Sequence, residues 1–194
     1  MSEVDSAPRP SARERLLAAA NRLFYEEGIH TVGIDRVIEQ AGVAKASLYK
    51  TFGSKDELIR AYLDLQHTST VDQIMGGTAE GASARDRILG VFTTLGTIFG
   101  SPDFHGCAFI KATAEALPGS AAQQENARYR AWVRGLFTDL AREAGVADPV
   151  SLARQLHMLF DGAGLGADIE RDPSLADEAR AAAEVLVDAA IARS

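Results

Sequence analysis

Apolar residues recur at three- and four-residue spacing through most of this chain, which is the period of an amphipathic helix. In the first such segment Leu16, Ala20, Leu23 and Phe24 share one face, and Gly28 follows as the expected helix end. Alternating β-branched runs, the pattern of a half-buried strand, are missing from the sequence. The pattern therefore predicts an all-α fold with about nine helices. We place these helices at about 11–27, 34–40, 45–51, 55–75, 83–99, 105–117, 120–144, 149–171 and 174–192.

Capping residues mark where four of these helices begin. Two Ser-x-x-Glu sequences, at 11–14 and 54–57, predict capping boxes, in which the serine accepts an amide and the glutamate reaches back. Two Asp-Pro pairs, at 148–149 and 172–173, each predict an N-cap acceptor followed by proline at the first helical position. Three glycines within 76–82 predict the loop that separates two halves of the chain.

Charge is also divided unevenly along the chain. The net charge is −7, but residues 1–62 hold nine Lys or Arg and nine Asp or Glu, so residues 63–194 carry all of the excess. No apolar run approaches the roughly 18 residues that span a bilayer, and the first residues do not resemble a signal peptide. A single cysteine, Cys107, excludes an intrachain disulfide. We therefore expect a cytoplasmic protein without membrane contact.

The segment GVAKASLYKTFGSK, residues 42–55, holds three lysines and no carboxylate in this acidic chain. A short predicted helix precedes the segment, and Gly42 is the centre of a turn at its start. The second short helix, within the segment, offers only Leu48 and Phe52 to a core. Two short helices joined in this way form a helix-turn-helix, whose second helix enters the DNA major groove. Small residues permit close approach to bases, and lysine side chains neutralise the negative charge of phosphates. A helical hairpin with a solvated lysine face is the alternative interpretation.

A longer run, AANRLFYEEGIHTVGIDRVIEQAGVAKASLYKTFGSKDELIRAYL, resembles the N-terminal domain of the TetR family of bacterial transcriptional repressors. The resemblance rests on an ordered set of positions: Leu23, Phe24, Gly28, Thr31, Ile34, Ala41, Gly42, Val43, Leu48, Tyr49, Phe52 and residues 54–58. It implies a flexible arm at 1–10, a helix-turn-helix DNA-binding domain at 11–57 and a helical ligand-binding and dimerisation domain at 58–194. The partners it implies are double-stranded operator DNA, a small-molecule effector and a second copy of the chain.

The same resemblance implies roles for individual residues in DNA binding. Phosphates are held by Thr31, Lys45, Tyr49 and Lys55. Residues that face the groove are Ala44, Ala46, Ser47, Lys50 and Thr51. Gly33 replaces a larger polar residue and offers only its backbone, while Tyr49 is also open to interpretation as a core residue. The second short helix carries no arginine for bidentate recognition of guanine.

Two further sets of residues follow from the predicted second domain. Family members pair their last two long helices in a dimer, and the apolar stripes expected there are Leu152, Leu156, Leu159, Phe160, Leu186, Val187 and Ala190. Candidates for the wall of a ligand pocket, each also explained as simple core, are Phe92, Phe99, Phe104, Phe109, Trp132, Phe137 and Met158. Gly162, Gly164 and Gly166 indicate either a close helix seam at the dimer or a helix break.

Other chemistries find little support in the sequence. His105 lies two residues from Cys107, a spacing that does not place both on one helical face, and His157 beside Asp161 lacks further ligands, so we expect no metal and no cofactor. The sequence shows no recognisable catalytic set of a nucleophile, a base and a group that orients the base, so we expect no enzyme activity. A small helical enzyme or carrier, an activator and a thiol-responsive regulator acting through Cys107 remain as alternatives.

Overall fold

The computed structural model describes residues 10–77, 81–114 and 116–193. Those ranges contain nine helices and no strand, so the predicted all-α fold is confirmed. The helices are α1 (Ala12–Glu27), α2 (Ile34–Ala41), α3 (Lys45–Phe52), α4 (Lys55–Gly76), α5 (Ala84–Phe99), α6 (Ala108–Thr113), α7 (Ala121–Glu143), α8 (Pro149–Glu170) and α9 (Leu175–Ile191). Most of the predicted arm and the centre of the predicted loop at 76–82 lie outside the described residues. Across the described ranges, no helix combines the length and the apolar character that a membrane crossing requires.

Two of the predicted helix starts are confirmed in full. The Ser11 hydroxyl accepts the Glu14 N–H at 3.2 Å, and the Glu14 carboxylate accepts the Ser11 N–H at 2.7 Å. Asp148 accepts the Ser151 N–H at 3.0 Å, with Pro149 at the first helical position. Both helices therefore begin where side-chain acceptors replace the missing intrahelical partners.

The other two starts differ from the prediction. Ser54 accepts the Glu57 N–H at 3.1 Å, but the Glu57 carboxylate lies 3.3 Å from Arg60, so only half of the capping box forms. Asp172 accepts the Ser174 N–H at 2.9 Å, and α9 begins after Ser174 rather than after Asp172. An Asp-Pro pair therefore starts a turn here, and the helix follows directly after that turn.

Helix α6 is shorter than the predicted span of 105–117, since it begins only at Ala108. Gly106 has φ 82°, which is left-handed backbone that cannot belong to the first turn of a helix. The Tyr25 hydroxyl accepts the His105 N–H at 3.2 Å and donates to the Gly106 carbonyl at 3.0 Å. A tertiary contact thus takes the backbone groups that a longer helix would use.

The helices form two halves that share α4. Helices α1, α2 and α3 pack together as a head, whose centre holds the fully buried Leu16, Val37 and Leu48. Helices α5, α7, α8 and α9 pack against one another as a body, with α6 lying on α7. Helix α4 contacts α1 and α3 in the head and α5, α6 and α7 in the body. The predicted division of the chain after residue 57 therefore falls inside a continuous helix.

Leu48 is the only fully buried side chain of α3, so this helix depends on it for its position. We expect Leu48→Ala to lower the free energy of unfolding by about 2–5 kcal/mol, because the truncation loses apolar burial and leaves a cavity. Urea unfolding followed by circular dichroism measures the change. Lys50→Ala, on the exposed side of the same helix, is the control and should change stability by less than about 0.5 kcal/mol. Equal effects of the two substitutions would contradict the assignment of Leu48 as the anchor.

Candidate DNA-binding surface and ligand cavity

The turn between α2 and α3 is held by backbone geometry and by one arginine of α1. Gly42 ends α2 in the left-handed conformation, with φ 60° and ψ 44°, and its N–H reaches the Glu39 carbonyl at 3.1 Å. Arg15 donates through Nη1 to the carbonyl oxygens of Ala41 at 3.2 Å and Gly42 at 3.0 Å. Arg15 therefore fixes the turn from 26 residues away, a role for which the sequence gives no signal.

Helix α3 presents one polar face to solvent. Its exposed residues, together with the residue that precedes it, are Ala44, Lys45, Ala46, Tyr49, Lys50 and Thr51, and Ser47 is half-buried. Tyr49 is 47% exposed, so its interpretation as a core residue is wrong. Thr51 donates its hydroxyl proton to the Ser47 carbonyl at 2.6 Å, which leaves the hydroxyl oxygen free to accept. The face is thus small, polar and accessible along its length.

The lysines around this face have different environments. The Lys45 ammonium lies 2.8 Å from Asp35 of α2, and this hydrogen bond raises the pKa of Lys45. Lys50 has no hydrogen bond or ion pair within the described part of the chain. Lys55, at the start of α4, lies 5.9 Å from the centre of the Phe24 ring, and its partial burial lowers its pKa. Lys50 is therefore the side chain most available to a new partner.

Thr31 and Gly33 lie exposed between α1 and α2. Gly33 precedes α2 with no side-chain cap, and no heavy atom lies within 4 Å of the place where a Cβ would stand. The α2 N-terminus is consequently open, with free backbone amides beside the α3 face. The ten residues predicted for DNA binding thus lie in or next to the helix-turn-helix, and their contacts with DNA stay a prediction.

A cavity of about 420 Å³ lies in the body between α4, α5, α6, α7 and α8. Its volume falls within the range of about 300–1,000 Å³ that is typical of sites for small molecules. Three of the predicted aromatics, Phe99, Phe104 and Phe109, line it, together with Tyr129 and Phe160. Their part in ligand binding stays a prediction.

The other four predicted pocket residues do not line this cavity. Phe92 and Phe137 stack on each other in the core, with ring centroids 5.9 Å apart and both side chains fully buried. Trp132 packs against Tyr129, 6.1 Å away, behind the cavity wall. Met158 is 66% exposed on the opposite side of α8. Composition cannot separate these groups, because an aromatic side chain serves equally well as core or as wall.

Cavity chemistry is dominated by one paired carboxylate and one thiol. Asp161 lines the cavity and lies 2.7 Å from Arg130 and 3.5 Å from Nε2 of His157. Burial by itself would raise the pKa of Asp161, but the neighbouring His157 and Arg130 lower it, so the carboxylate is ionised at neutral pH. Burial raises the pKa of the Cys107 thiol. The described residues contain no group of three His, Cys, Asp or Glu side chains that could hold a metal ion.

The cavity wall is connected directly to the head. Tyr25, near the end of α1, lines the cavity and bonds the backbone of His105 and Gly106, as described above. Lys111 of α6 donates to the carbonyl oxygens of Tyr25 at 2.9 Å and His105 at 3.0 Å. Gly106 cannot be replaced there without a shift, since a Cβ would lie 2.5 Å from the Asp168 carboxylate. The sequence analysis missed Tyr25 and Lys111, which lie 86 positions apart.

A second polar connection ties α4 to α7. The Asp56 carboxylate accepts the N–H of Ala121, at the start of α7, at 3.2 Å. Arg60 donates to Glu125 at 2.9 Å and to Gln124 at 3.0 Å. Glu125 is buried, so this ion pair is shielded from solvent on one side. The head is thus attached to α7 at one place and to the cavity wall at another.

The predicted dimer stripes lie mostly inside the protomer, which corrects that prediction. Leu152, Leu156, Phe160, Val187 and Ala190 are all buried, and Leu159 and Leu186 are half-buried. Helices α8 and α9 have a second apolar face that is exposed. This α8/α9 outer face consists of Met158, Gly162, Leu165, Ile169 and Val185. The inner stripe gave the stronger sequence signal because burial within the protomer also selects leucine and phenylalanine.

The three glycines of α8 do not break the helix, which runs unbroken to Glu170, so the break interpretation is wrong. A Cβ on Gly166 would lie 2.9 Å from Leu175 of α9, and one on Gly164 would lie 3.9 Å from Phe99. These two glycines therefore face neighbours within the protomer. Only Gly162 faces open space on the outer face.

Comparison with known proteins gives a consistent picture. Residues 16–62 match the family model described as "Bacterial regulatory proteins, tetR family". A TetR-family transcriptional regulator from Streptomyces coelicolor has a similar structure, with a TM-score of 0.86 and 35% identity over 93% of this chain and 96% of that one.

Two curated relatives carry functional names. The HTH-type transcriptional repressor NemR of Escherichia coli is 28% identical over 169 residues, which cover 82% of this chain and 85% of NemR. The HTH-type transcriptional activator FasR of Mycolicibacterium smegmatis is 40% identical over 73 residues. That match spans only 32% of FasR and 38% of this chain.

The raised pKa of Cys107 predicts a slowly reacting thiol, because the thiolate is the nucleophile and its fraction falls as the pKa rises. We expect iodoacetamide to label the native protein more slowly than the same protein unfolded in urea, at any pH between about 7 and 9. Intact-mass spectrometry reports this residue alone, since the chain has one cysteine. Labelling of the native protein at or above the unfolded rate would instead indicate an activated, sensor-like thiol.

Proposed function

This chain belongs to the TetR family of DNA-binding transcriptional regulators, and we propose that it is a repressor whose homodimer leaves its operator when a small molecule occupies the cavity. The observation that carries this proposal is the α3 face. A helix whose only fully buried side chain is Leu48 presents small residues, hydroxyls and lysines along its whole outer side. That face fits the major groove, where small side chains permit close approach and polar groups meet base edges.

The proposed DNA contacts are those of the helix-turn-helix and its flanks. Ala44, Ala46, Ser47, Lys50 and Thr51 face the groove, and Gly33 contributes its backbone. Thr31, Lys45, Tyr49 and Lys55 hold phosphates. Lys45 exchanges Asp35 for a phosphate on binding, and this exchange costs little because both side chains of the ion pair are exposed. With one lysine free for base contact and no arginine on α3, part of the sequence preference comes from DNA shape.

The α8/α9 outer face supports the proposed homodimer. Ile169 and Val185 are 71% and 69% exposed, and large apolar side chains grouped on one face of a monomer mark an interaction surface. Pairing of α8 and α9 with their copies would bury this face and relate the two α3 helices by two-fold symmetry. A pseudo-palindromic operator follows, with half-sites one DNA turn or more apart.

The two connections between head and body supply the mechanism of release. A ligand in the cavity touches the wall at Gly106 and Cys107, to which Tyr25 of α1 is bonded, while Asp56 and Arg60 keep α4 on α7. Movement of the wall therefore turns α1 against a fixed point and changes the separation of the two α3 helices. Release requires that the ligand bind this arrangement more tightly than the arrangement that fits DNA.

The alternatives have no specific observation in their favour. A thiol sensor in the cavity would need an activated thiol, whereas burial raises the pKa of Cys107. The relatives named above, which are regulators, include both a repressor and an activator. Transcription in vitro from a bound promoter distinguishes a repressor from an activator, since a repressor lowers the amount of transcript and an activator raises it.

Gel shifts with the DNA upstream of the gene test the proposed function, and Lys45→Ala tests the contact set. We expect a retarded band at low salt for the intact protein. Lys45→Ala should weaken binding to all sequences and reduce the slope of log K against log salt by about one, because one phosphate contact is lost. Arg142→Ala, which removes an exposed cation of the body, is the matched control and should leave the slope unchanged. The absence of any retarded band at low salt would contradict the proposed function, and an unchanged slope would remove Lys45 from the contacts.

The outer face is tested by charge substitution. We expect the double variant Ile169→Asp and Val185→Asp to be a monomer and to bind operator DNA more weakly, because burying unpaired carboxylates opposes association. Light scattering after size-exclusion chromatography measures the mass. Leu117→Asp, at a residue 74% exposed before α7, is the matched control and should keep the dimer. A double variant that remains dimeric would place the interface elsewhere.

A further inference from the structure

Aromatic side chains form much of the cavity wall. Phe109 and Tyr129 stack face to face, with ring centroids 4.0 Å apart and planes within 5° of each other. Phe99 and Phe104 form a second pair, with centroids 4.9 Å apart. Both pairs line the cavity. Aromatic surfaces prefer offset stacking with another ring and attract cations over their faces.

The charged groups of the lining are of one sign. Asp103 and Asp161 line the cavity, and none of the described lining residues is Lys, Arg or His. The cations behind the wall are already engaged: Arg130 pairs with Asp161, and Lys111 donates to two backbone carbonyls. A carboxylate or phosphate ligand would therefore enter beside two carboxylates without a free cation to pair with. Burial of an unpaired charge of this kind is strongly unfavourable.

The two carboxylates lie at different depths. Asp103 is exposed near the mouth, and its carboxylate makes no hydrogen bond or ion pair with the described residues. Asp161 lies deeper, and the contacts with His157 and Arg130 that lower its pKa keep it ionised. Gln66, Thr70, Thr97 and Ser101 add uncharged polar groups to the lining. A positive ligand thus meets the exposed, unpaired carboxylate of Asp103 first, and inside it meets a carboxylate that is already paired with Arg130.

We propose that the cavity takes aromatic ligands that carry a positive charge, and that it rejects aromatic carboxylates and phosphates of the same size. This inference rests on the proposed function of the cavity as the effector site. The ring packs against the aromatic walls, and the cationic group faces Asp103, whose carboxylate is unpaired among the described residues. Selection by charge follows because the ligand's charge is attracted or repelled by this carboxylate, and the surrounding protein shields the pair less than bulk water would.

Three probes with one ring system test the proposal: 1-naphthylmethylamine, which is a cation at neutral pH, the neutral 1-naphthalenemethanol, and the anion 1-naphthoate. Titration calorimetry with the full chain gives the dissociation constants. We expect the amine to bind about tenfold or more tightly than the alcohol, and the carboxylate about tenfold or more weakly than the alcohol. Binding of the carboxylate as tightly as the amine would overturn the proposal, and so would the absence of binding by all three.

Substitution of a single carboxylate tests whether Asp103 is the group that attracts the cation. Asp103→Asn should reduce the advantage of the amine over the alcohol by about threefold or more while leaving the alcohol unchanged, because only the charge at the mouth is lost. Asp139→Asn, an exposed carboxylate on α7 outside the lining, is the matched control and should change neither constant. Equal losses for amine and alcohol in Asp103→Asn would show a structural effect and contradict the role of this charge.

Gel shifts with the same probes separate this inference from the proposed function. Calorimetric binding of the amine with no change in operator affinity would support the ligand class and overturn ligand-driven release. Intact operator binding by a protein that binds none of the probes would overturn the ligand class and leave the DNA-binding function standing.

Discussion

One helix, α4, is buried in both halves of the molecule, and the coupling of head to body depends on it. In the head Tyr62 is 1% exposed and meets Phe24 of α1 edge to face, with ring centroids 5.6 Å apart. Little more than one turn later His67 packs against Tyr129 of α7, at 5.7 Å. Packed cores resist deformation. A helix that is packed in both halves therefore transmits a displacement of the body to the head, whereas a flexible linker would absorb it. The head therefore has no orientation that is independent of the body.

The polar contacts between head and body make that coupling specific. Lys111 and the Tyr25 hydroxyl join α1 to the cavity wall through backbone atoms, while Asp56 joins α4 to the first turn of α7. Buried or half-buried hydrogen bonds of this kind are costly to leave unmade, so intermediate positions are disfavoured. The head consequently has few favourable positions relative to the body, which is what a switch between two states of operator affinity requires.

Charge is partitioned in the same way as structure. The first 62 residues are neutral overall, and the α3 face concentrates lysine where carboxylates are absent. The remaining residues carry the whole net charge of −7, and the cavity lining continues that acidic character inward. An acidic body repels the DNA backbone and confines attraction to the head, and an acidic cavity is consistent with the proposed preference for positive ligands.

The sequence by itself determined the helical fold, most helix bounds and the helix-turn-helix, because periodicity, caps and the turn at Gly42 are local signals that need no tertiary context. It did not determine which face of a helix meets which neighbour. Leu156 and Val187 face inward and Ile169 and Val185 outward, yet all four are apolar residues at helical spacing. Likewise Phe109 became cavity wall and Phe92 became core. Only the tertiary structure decided these outcomes, and it alone joined Tyr25 to Lys111, since contacts between distant residues depend on how several helices pack at once.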